Sequence, residues 1–384
     1  MSELVDPAAL AGRAYLDHAS TSPLRPGARA AMLPFLEHFH ADPGRVHTEG
    51  RITRVALEDA RAEVAELFGA RPREVVFTSG GTEAVNAAAW GALARDVSRR
   101  HVVTTAVEHS CVRDACDRAA LDVSVVGVDR LGHFDPDEVV DAIRADTALV
   151  SVQLANHEVG TVQSAAEVAA AARGHDTLVH IDACAAAGHI PVSFAELDTD
   201  LCSISAHKLG GPKGAGALLV RRGLRIPPLL VGGAQERARR GGMENVPAWV
   251  GFGAACAELL GTLPGEADAA RALIARAATV IDTVPGVARY GDPLAALPHV
   301  LCFGVEGVEA EPIVLALDQH GVAVHSGSAC SSETLEPSPV LAAMGVDADH
   351  SLRVSVGWSS TPADVERFVT VFPDVVARLR SLRA

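Results

Sequence analysis

The chain has 384 residues, with 33 basic against 48 acidic side chains and a formal net charge of −15. Hydrophobic residues make up 48% and charged residues 21%, which supplies packed cores and excludes global disorder. The acid excess argues against direct nucleic-acid binding, which needs a basic face. The opening MSELVDPAAL lacks the basic n-region and apolar h-region of a signal peptide, and no uninterrupted apolar run reaches the roughly 18 residues of a membrane span. A cytoplasmic enzyme is the expectation.

From Ala14 to about Leu260, short apolar runs alternate with helical stretches. EVVFTSG (74–80) predicts a buried strand and TEAVNAAAWGALARDV (82–97) the helix that follows it. Further strands are predicted at 101–106, 122–128, 148–154, 177–183, 202–206 and 216–220, with Ala-rich helices such as 165–173 between them. Strands apolar on both faces that alternate with helices predict an α/β fold whose parallel or mixed sheet is covered by helices. After Pro264 a helix at 266–281, strand 299–305, helix 311–321, strand 322–326, helix 338–344, strand 352–357 and helix 362–381 predict a smaller α+β unit. The large domain is placed at 14–262 and the small one at 1–13 with 263–384.

Only two of the basic residues are lysines, Lys208 and Lys213. A chain that otherwise uses arginine retains lysine where an amine must react, because a guanidinium is not deprotonated. The seven cysteines are odd in number and scattered, poor material for a disulfide framework. His109, Cys111 and Cys116 do not complete a four-ligand metal set, so no metal is expected.

Three segments carry chemistry. In TSGGTEAVN (78–86) a strand runs through Gly80-Gly81 into a helix start, whose free N–H groups and dipole suit an anion. In HIDACAAAGHIP (180–191) Asp182 closes an apolar strand, and strand ends line the ligand crevice of an open α/β sheet. In SISAHKLGGPKG (203–214) Ser205, His207 and Lys208 combine phosphate donors with a reactive amine. Together they fit a pyridoxal 5'-phosphate pocket: Asp182 for the pyridinium nitrogen, Lys208 for the aldehyde, a helix N-terminus for the phosphate.

With these blocks in place the chain resembles the cysteine desulfurases, in the NifS/IscS-like group of class V aminotransferase-fold enzymes. The likeness runs from YLDHASTSPLRPGA (15–28) through TTAVEHSCV (104–112), ANHEVGTVQ (155–163), GGAQERARRGGMENVP (232–247) and HSGSACSSETLEPS (325–338) to LRVSVGW (352–358). The resemblance implies fold type I of the pyridoxal-phosphate transferases, with a mostly parallel seven-stranded sheet, and a homodimer. It implies Lys208 as the lysine that carries the cofactor, Asp182 as the partner of its ring nitrogen, and His109 as a stacking and proton-transferring ring. Gly81, Thr82, Ser205 and His207 take the phosphate, Asn156 lies near cofactor and substrate, and Arg353 clamps the substrate carboxylate. Cys330, in a small polar loop, is the expected nucleophile that takes sulfur from L-cysteine as a persulfide and passes it to an acceptor protein. The other six cysteines, in Ala/Val/Leu-rich surroundings, are expected to be inert buried thiols.

Three segments depart from the pattern. Ala185 stands where Gln is usual, Met243 where a Thr reaches across the dimer, and Asp42 with Arg45 replace the usual Asn and Ser. These departures keep two alternatives open: selenocysteine lyase or another β-elimination or transamination on the same cofactor, and a sulfur-relay or scaffold protein with a weakened site.

Overall fold

The computed structural model describes residues 10–120, 122–326 and 337–382. Among these described residues, thirteen strands fall into three sheets. The large sheet holds β2 (Val75–Thr78), β3 (His101–Thr105), β4 (Asp122–Val126), β5 (Thr147–Gln153), β6 (Leu178–Asp182), β7 (Leu201–Ser205) and β8 (Gly216–Val220). Its order is β2-β8-β7-β6-β5-β3-β4, and β8 alone runs against its neighbours. Six of these strands therefore point one way, and the turns that leave β2, β7, β6, β5 and β3 gather along one edge. Strands β2, β3 and β5 to β8 are buried throughout, because helices cover both faces of such a sheet.

The second sheet is antiparallel, in the order β12-β13-β10-β9, built from β9 (Val287–Tyr290), β10 (Val300–Val305), β12 (His325–Ser326) and β13 (Ser351–Ser355). Beside it β1 (Ala14–Tyr15) pairs in parallel with β11 (Val322–Ala323). Ala14 and Leu16 thereby join the smaller core, with Phe303, Val354 and Phe368. The larger core lies around Phe77, Val150, Ile181, Ile204 and Trp249.

The division expected at 14 and 263 is drawn differently by the packing. Residues 14–16 belong with the small sheet, and the helix expected at 266–281 does not start after Pro264. One helix, Val246–Ile281, runs through that proline. Its first half (Trp249, Phe252, Leu259) packs in the larger core and its second half (Ala270, Ala277, Ile281) in the smaller one. Proline removes one helical N–H, but tertiary contacts on both sides outweigh that local loss. By length and composition this helix could cross a membrane, but 56% of its most apolar window is buried inside the molecule.

Arg25 bridges the two halves of this helix. Its guanidinium meets Glu258 at 2.8 Å and Glu266 at 2.6 Å, on either side of Pro264. Its Nε donates to the Leu209 carbonyl at 2.9 Å, so the same side chain ties the helix to the segment that carries Lys208.

Candidate active site

A cavity of about 430 Å³ opens where the strand ends gather. Five strands contribute residues at or past their carboxyl ends: Gly80 and Gly81 after β2, Ser205 on β7 with His207 and Lys208 after it, Asp182 on β6, Gln153 on β5 and His109 after β3. From the smaller unit Arg353 on β13 closes the far wall, and Ala19 and Ser20 form the rim. Of the residues expected from the sequence, Gly81, Thr82, His109, Asp182, Ser205, His207, Lys208 and Arg353 all line this one cavity.

The helix Gly81–Arg95 starts at the cavity floor. A side chain at Gly81 would bring its Cβ within 2.6 Å of Cys184 Sγ, so only glycine lets the helix start sit against the strand turns. Glu83, in the first turn, is held below the usual carboxylate range. Burial pushes it up, but hydrogen bonds from Arg240 and Ser79 outweigh that. The arginine thus offsets a negative charge beside the helix start.

Asp182 is buried, and its Oδ1 accepts from Ser203 Oγ at 2.6 Å and from the Cys184 N–H at 3.1 Å. Burial alone would raise this carboxyl. The neighbouring His180 ring and the donors from Ser203 and Cys184 hold it low, so it stays ionised.

Lys208 ends a short 3-10 turn, Ala206–Lys208. Its Nζ donates to the carbonyls of Ala19 and, at 3.1 Å, Ser20. The Lys208 carbonyl accepts from Ser22 Oγ at 3.0 Å, and Ser22 Oγ lies 3.1 Å from His18 Nδ1. His207 sits 3.2 Å from Thr21 Oγ1. Burial, with Lys208 and Lys213 nearby, pushes its ring down to about 4, so it is neutral at pH 7.

His109 caps the helix Ser110–Ala119, its Nδ1 accepting from the Cys111 N–H at 3.1 Å. With Nδ1 used as an acceptor, the ring's N–H is on Nε2. Arg353 is 2% exposed. It donates to the His157 carbonyl at 3.0 Å, to Asp17 at 3.0 Å and to Ser20 Oγ at 2.7 Å. Its Nε is buried without a partner among the described residues.

Four expectations meet a different arrangement or none. Asn156 does not line the cavity. Its amide donates to the Val107 carbonyl and accepts from the Glu158 and Val159 N–H groups, which commits it to the turn behind the wall. Cys111 and Cys184 are not buried core thiols but half-buried cavity residues. Burial and Asp182 push the Cys184 thiol well above its ordinary value, so it remains protonated. Met243 is 63% exposed. Cys330 lies outside the described residues. The sequence pattern also passed over Gln153, Ser20 and His157 as cavity residues. The only signal for Gln153 was its place at a strand end, which any of the strands shares.

A polar cavity of this build has relatives. The aminotransferase class-V family matches residues 14–368. "Cysteine desulfurase IscS" of Dictyoglomus turgidum is 40% identical over 376 residues, 96% of this chain and 95% of that protein. "Cysteine desulfurase" of Cereibacter sphaeroides is 41% identical over 379 residues, 96% and 97% of the two chains. A solved structure described as a NifS-like protein superposes with a TM-score of 0.89 at 30% identity, covering 96% of this chain and all of that one. The chain belongs to the aminotransferase class-V family.

Proposed function

We infer that this protein is a cysteine desulfurase that uses pyridoxal 5'-phosphate. The observation that carries the reading is the assembly, in one cavity, of a buried ionised Asp182, the Lys208 amine, a glycine-floored helix start and the Arg353 guanidinium. The donor set fits the cofactor group by group. An ionised carboxylate suits a protonated ring nitrogen, an amine suits an aldehyde, and N–H groups of a helix start with Thr82, Ser205 and His207 suit a phosphate. When bound, the cofactor supplies an electron sink for the carbon beside the substrate nitrogen.

The chain's own residues do the rest. Asp182 keeps the ring nitrogen protonated, because its carboxyl stays ionised in a buried place. His109 offers its Nε2 proton towards the cavity, since Nδ1 is engaged by the Cys111 N–H. Arg353 holds the substrate carboxylate, with its partnerless Nε–H as a donor still available. The Cys330 thiolate attacks the substrate sulfur. The new S–S bond forms as the Cβ–S bond breaks, and the carbon gains a proton to leave as alanine. Chain connectivity supports Cys330 in this role. Ser326, where the segment to Cys330 departs, is on β12 beside Arg353's strand. Ser338, where the chain returns, meets Glu158, the neighbour of cavity residue His157, at 2.5 Å. The sulfur then goes to an acceptor protein.

The test is alanine formation from L-cysteine with added pyridoxal phosphate and a reductant. Stoichiometric alanine and sulfide are expected, and a wild-type protein that forms neither refutes the reading. Lys208→Ala should lose the visible absorbance of the lysine-bound cofactor. Cys330→Ala should retain that absorbance and stop sulfide release; normal desulfuration by this variant removes Cys330 as nucleophile.

A further inference from the structure

Gln153 is the last residue of β5, and its register partner on the neighbouring parallel strand is Asp182. Paired residues on adjacent parallel strands face the same side of a sheet, so the Gln153 and Asp182 side chains stand next to each other at the cavity. On the other flank of Asp182, Ser203 is its register partner on β7 and donates to its carboxylate. Gln153 makes no such bond. It is 3% exposed and lines the cavity, and its side-chain Nε2 is buried without a hydrogen-bond partner among the described residues. Its backbone is held in place, the N–H donating to Glu108 Oε1 at 3.0 Å.

A buried amide nitrogen with no acceptor is costly, and native proteins keep few of them. One that lies at a ligand cavity is a donor whose acceptor comes with the ligand. Ala185, which also lines the cavity, offers only a methyl group and no such donor. Asn156, the other amide expected there, is committed to the backbone behind the wall.

We propose that Gln153 is a cofactor-binding residue, its side-chain amide donating to the edge of the bound pyridoxal phosphate beside Asp182. This rests on the reading of the cavity as a pyridoxal-phosphate site. A donor without a partner has an unusual signature, because its removal affects the empty and loaded protein in opposite senses. Taking away an orphaned buried polar group leaves the empty protein as stable or more so, while the loaded protein loses a hydrogen bond.

Gln153→Met, which keeps an unbranched side chain of similar length, separates these effects. Cofactor affinity is read by titrating the cofactor-free protein with pyridoxal phosphate and following visible absorbance. Stability of the cofactor-free protein is read by calorimetry. The expected result is a dissociation constant about tenfold weaker, with an unchanged or higher Tm for the cofactor-free variant. A dissociation constant within twofold of wild type overturns the proposal. So does a lower Tm for the cofactor-free variant, which makes the amide structural. Should Gln153→Met fail to fold, Gln153→Glu keeps the shape and removes both N–H donors. The same outcomes then apply, and failure of both variants to fold also assigns the amide a structural role. If wild type takes up no pyridoxal phosphate at all, the underlying reading of the cavity fails, which is distinguishable from failure of the role of Gln153.

Discussion

Glu108, just past β3, shows how a single buried side chain sets a pH dependence. Its Oε1 accepts from Thr105 Oγ1 at 2.6 Å and from the Gln153 N–H, while Oε2 is buried without a partner among the described residues. Burial pushes this carboxyl up to about 8, against the two donors that would lower it. In the folded protein it is therefore neutral at pH 7, whereas in the unfolded chain it ionises near 4.5. Its contribution to stability is intact at low pH and is lost as pH rises from about 4.5 to about 8, at up to about 1.4 kcal/mol per unit. Glu108→Gln keeps an acceptor oxygen and cannot ionise. Urea unfolding across this range should show wild type losing ground to the variant; a gap that does not change with pH counts against a neutral Glu108. At Gly81 the issue is space. Gly81→Ala should cost about 1–3 kcal/mol from crowding against Cys184 and weaken cofactor retention, as read by thermal unfolding and by dialysis of the loaded protein. An unaltered Tm with full retention would show that the helix start has slack.

Among the elements, the turn at Gln235–Ala238 is the least expected from composition. Glu236, Arg237 and Ala238 all have left-handed backbone, with φ of 48°, 57° and 60°, which costs a non-glycine residue roughly 1–2 kcal/mol. Nothing in AQERAR announces it. The compensation is tertiary: the buried Glu236 carboxylate accepts from Nη1 and Nη2 of Arg61 at 2.6 Å each and from the Phe77 N–H at 2.9 Å. Arg61 stacks over the Phe77 ring at 4.8 Å. The turn is thereby anchored to β2, whose end leads to the cavity floor. Arg61→Leu leaves the Glu236 charge buried and uncompensated, which should cost about 3–5 kcal/mol. The double change Arg61→Leu with Glu236→Leu should recover part of that. A single variant as stable as wild type in denaturant titrations would mean that the pair does not hold the turn.

At the scale of the whole molecule, three histidines, His18, His189 and His299, lie close to one another. His189 follows the Asp182 turn, His299 precedes β10, and their rings stack at 3.4 Å. His18 stands nearby on the segment after β1. Burial pushes His18 down to about 4 and His189 to about 3, with His299 also well below its ordinary value. Lys208, the other rings and Arg353 reinforce this at His299, while Glu266 opposes it at His189. A histidine held neutral contributes stability that is complete above about 6.5 and is lost as pH falls towards its folded value. Glu108 works in the opposite sense from about 4.5 to about 8, and the three histidines outweigh it below about 6.5, so these groups together place maximum stability near pH 6.5. Denaturant midpoints measured from pH 4 to pH 8.5 should fall on both sides, and a profile still rising at pH 8 rules this balance out.

Local pattern alone determined much of this protein. The strands of the large sheet are legible because both of their faces are buried, which writes continuous Val/Ile/Leu runs. The Gly80-Gly81 helix start, Asp182 and the paired lysines are legible because each is chemically unusual where it stands. Half-exposed β9 and the helices Pro26–Glu37 and Thr48–Leu67 carry weaker periodic signals and did not stand out. Tertiary structure decided what depends on neighbours distant in sequence. It carried one helix through Pro264 between two cores, and it paired β1 with β11 beside the small sheet. It turned Asn156 away from the cavity and Cys184 towards it. The strand register put Gln153 beside Asp182 with a donor unpaired. Spacing along a chain sets which face of a strand a side chain takes, but which residue meets it across the sheet follows only from how the strands are paired.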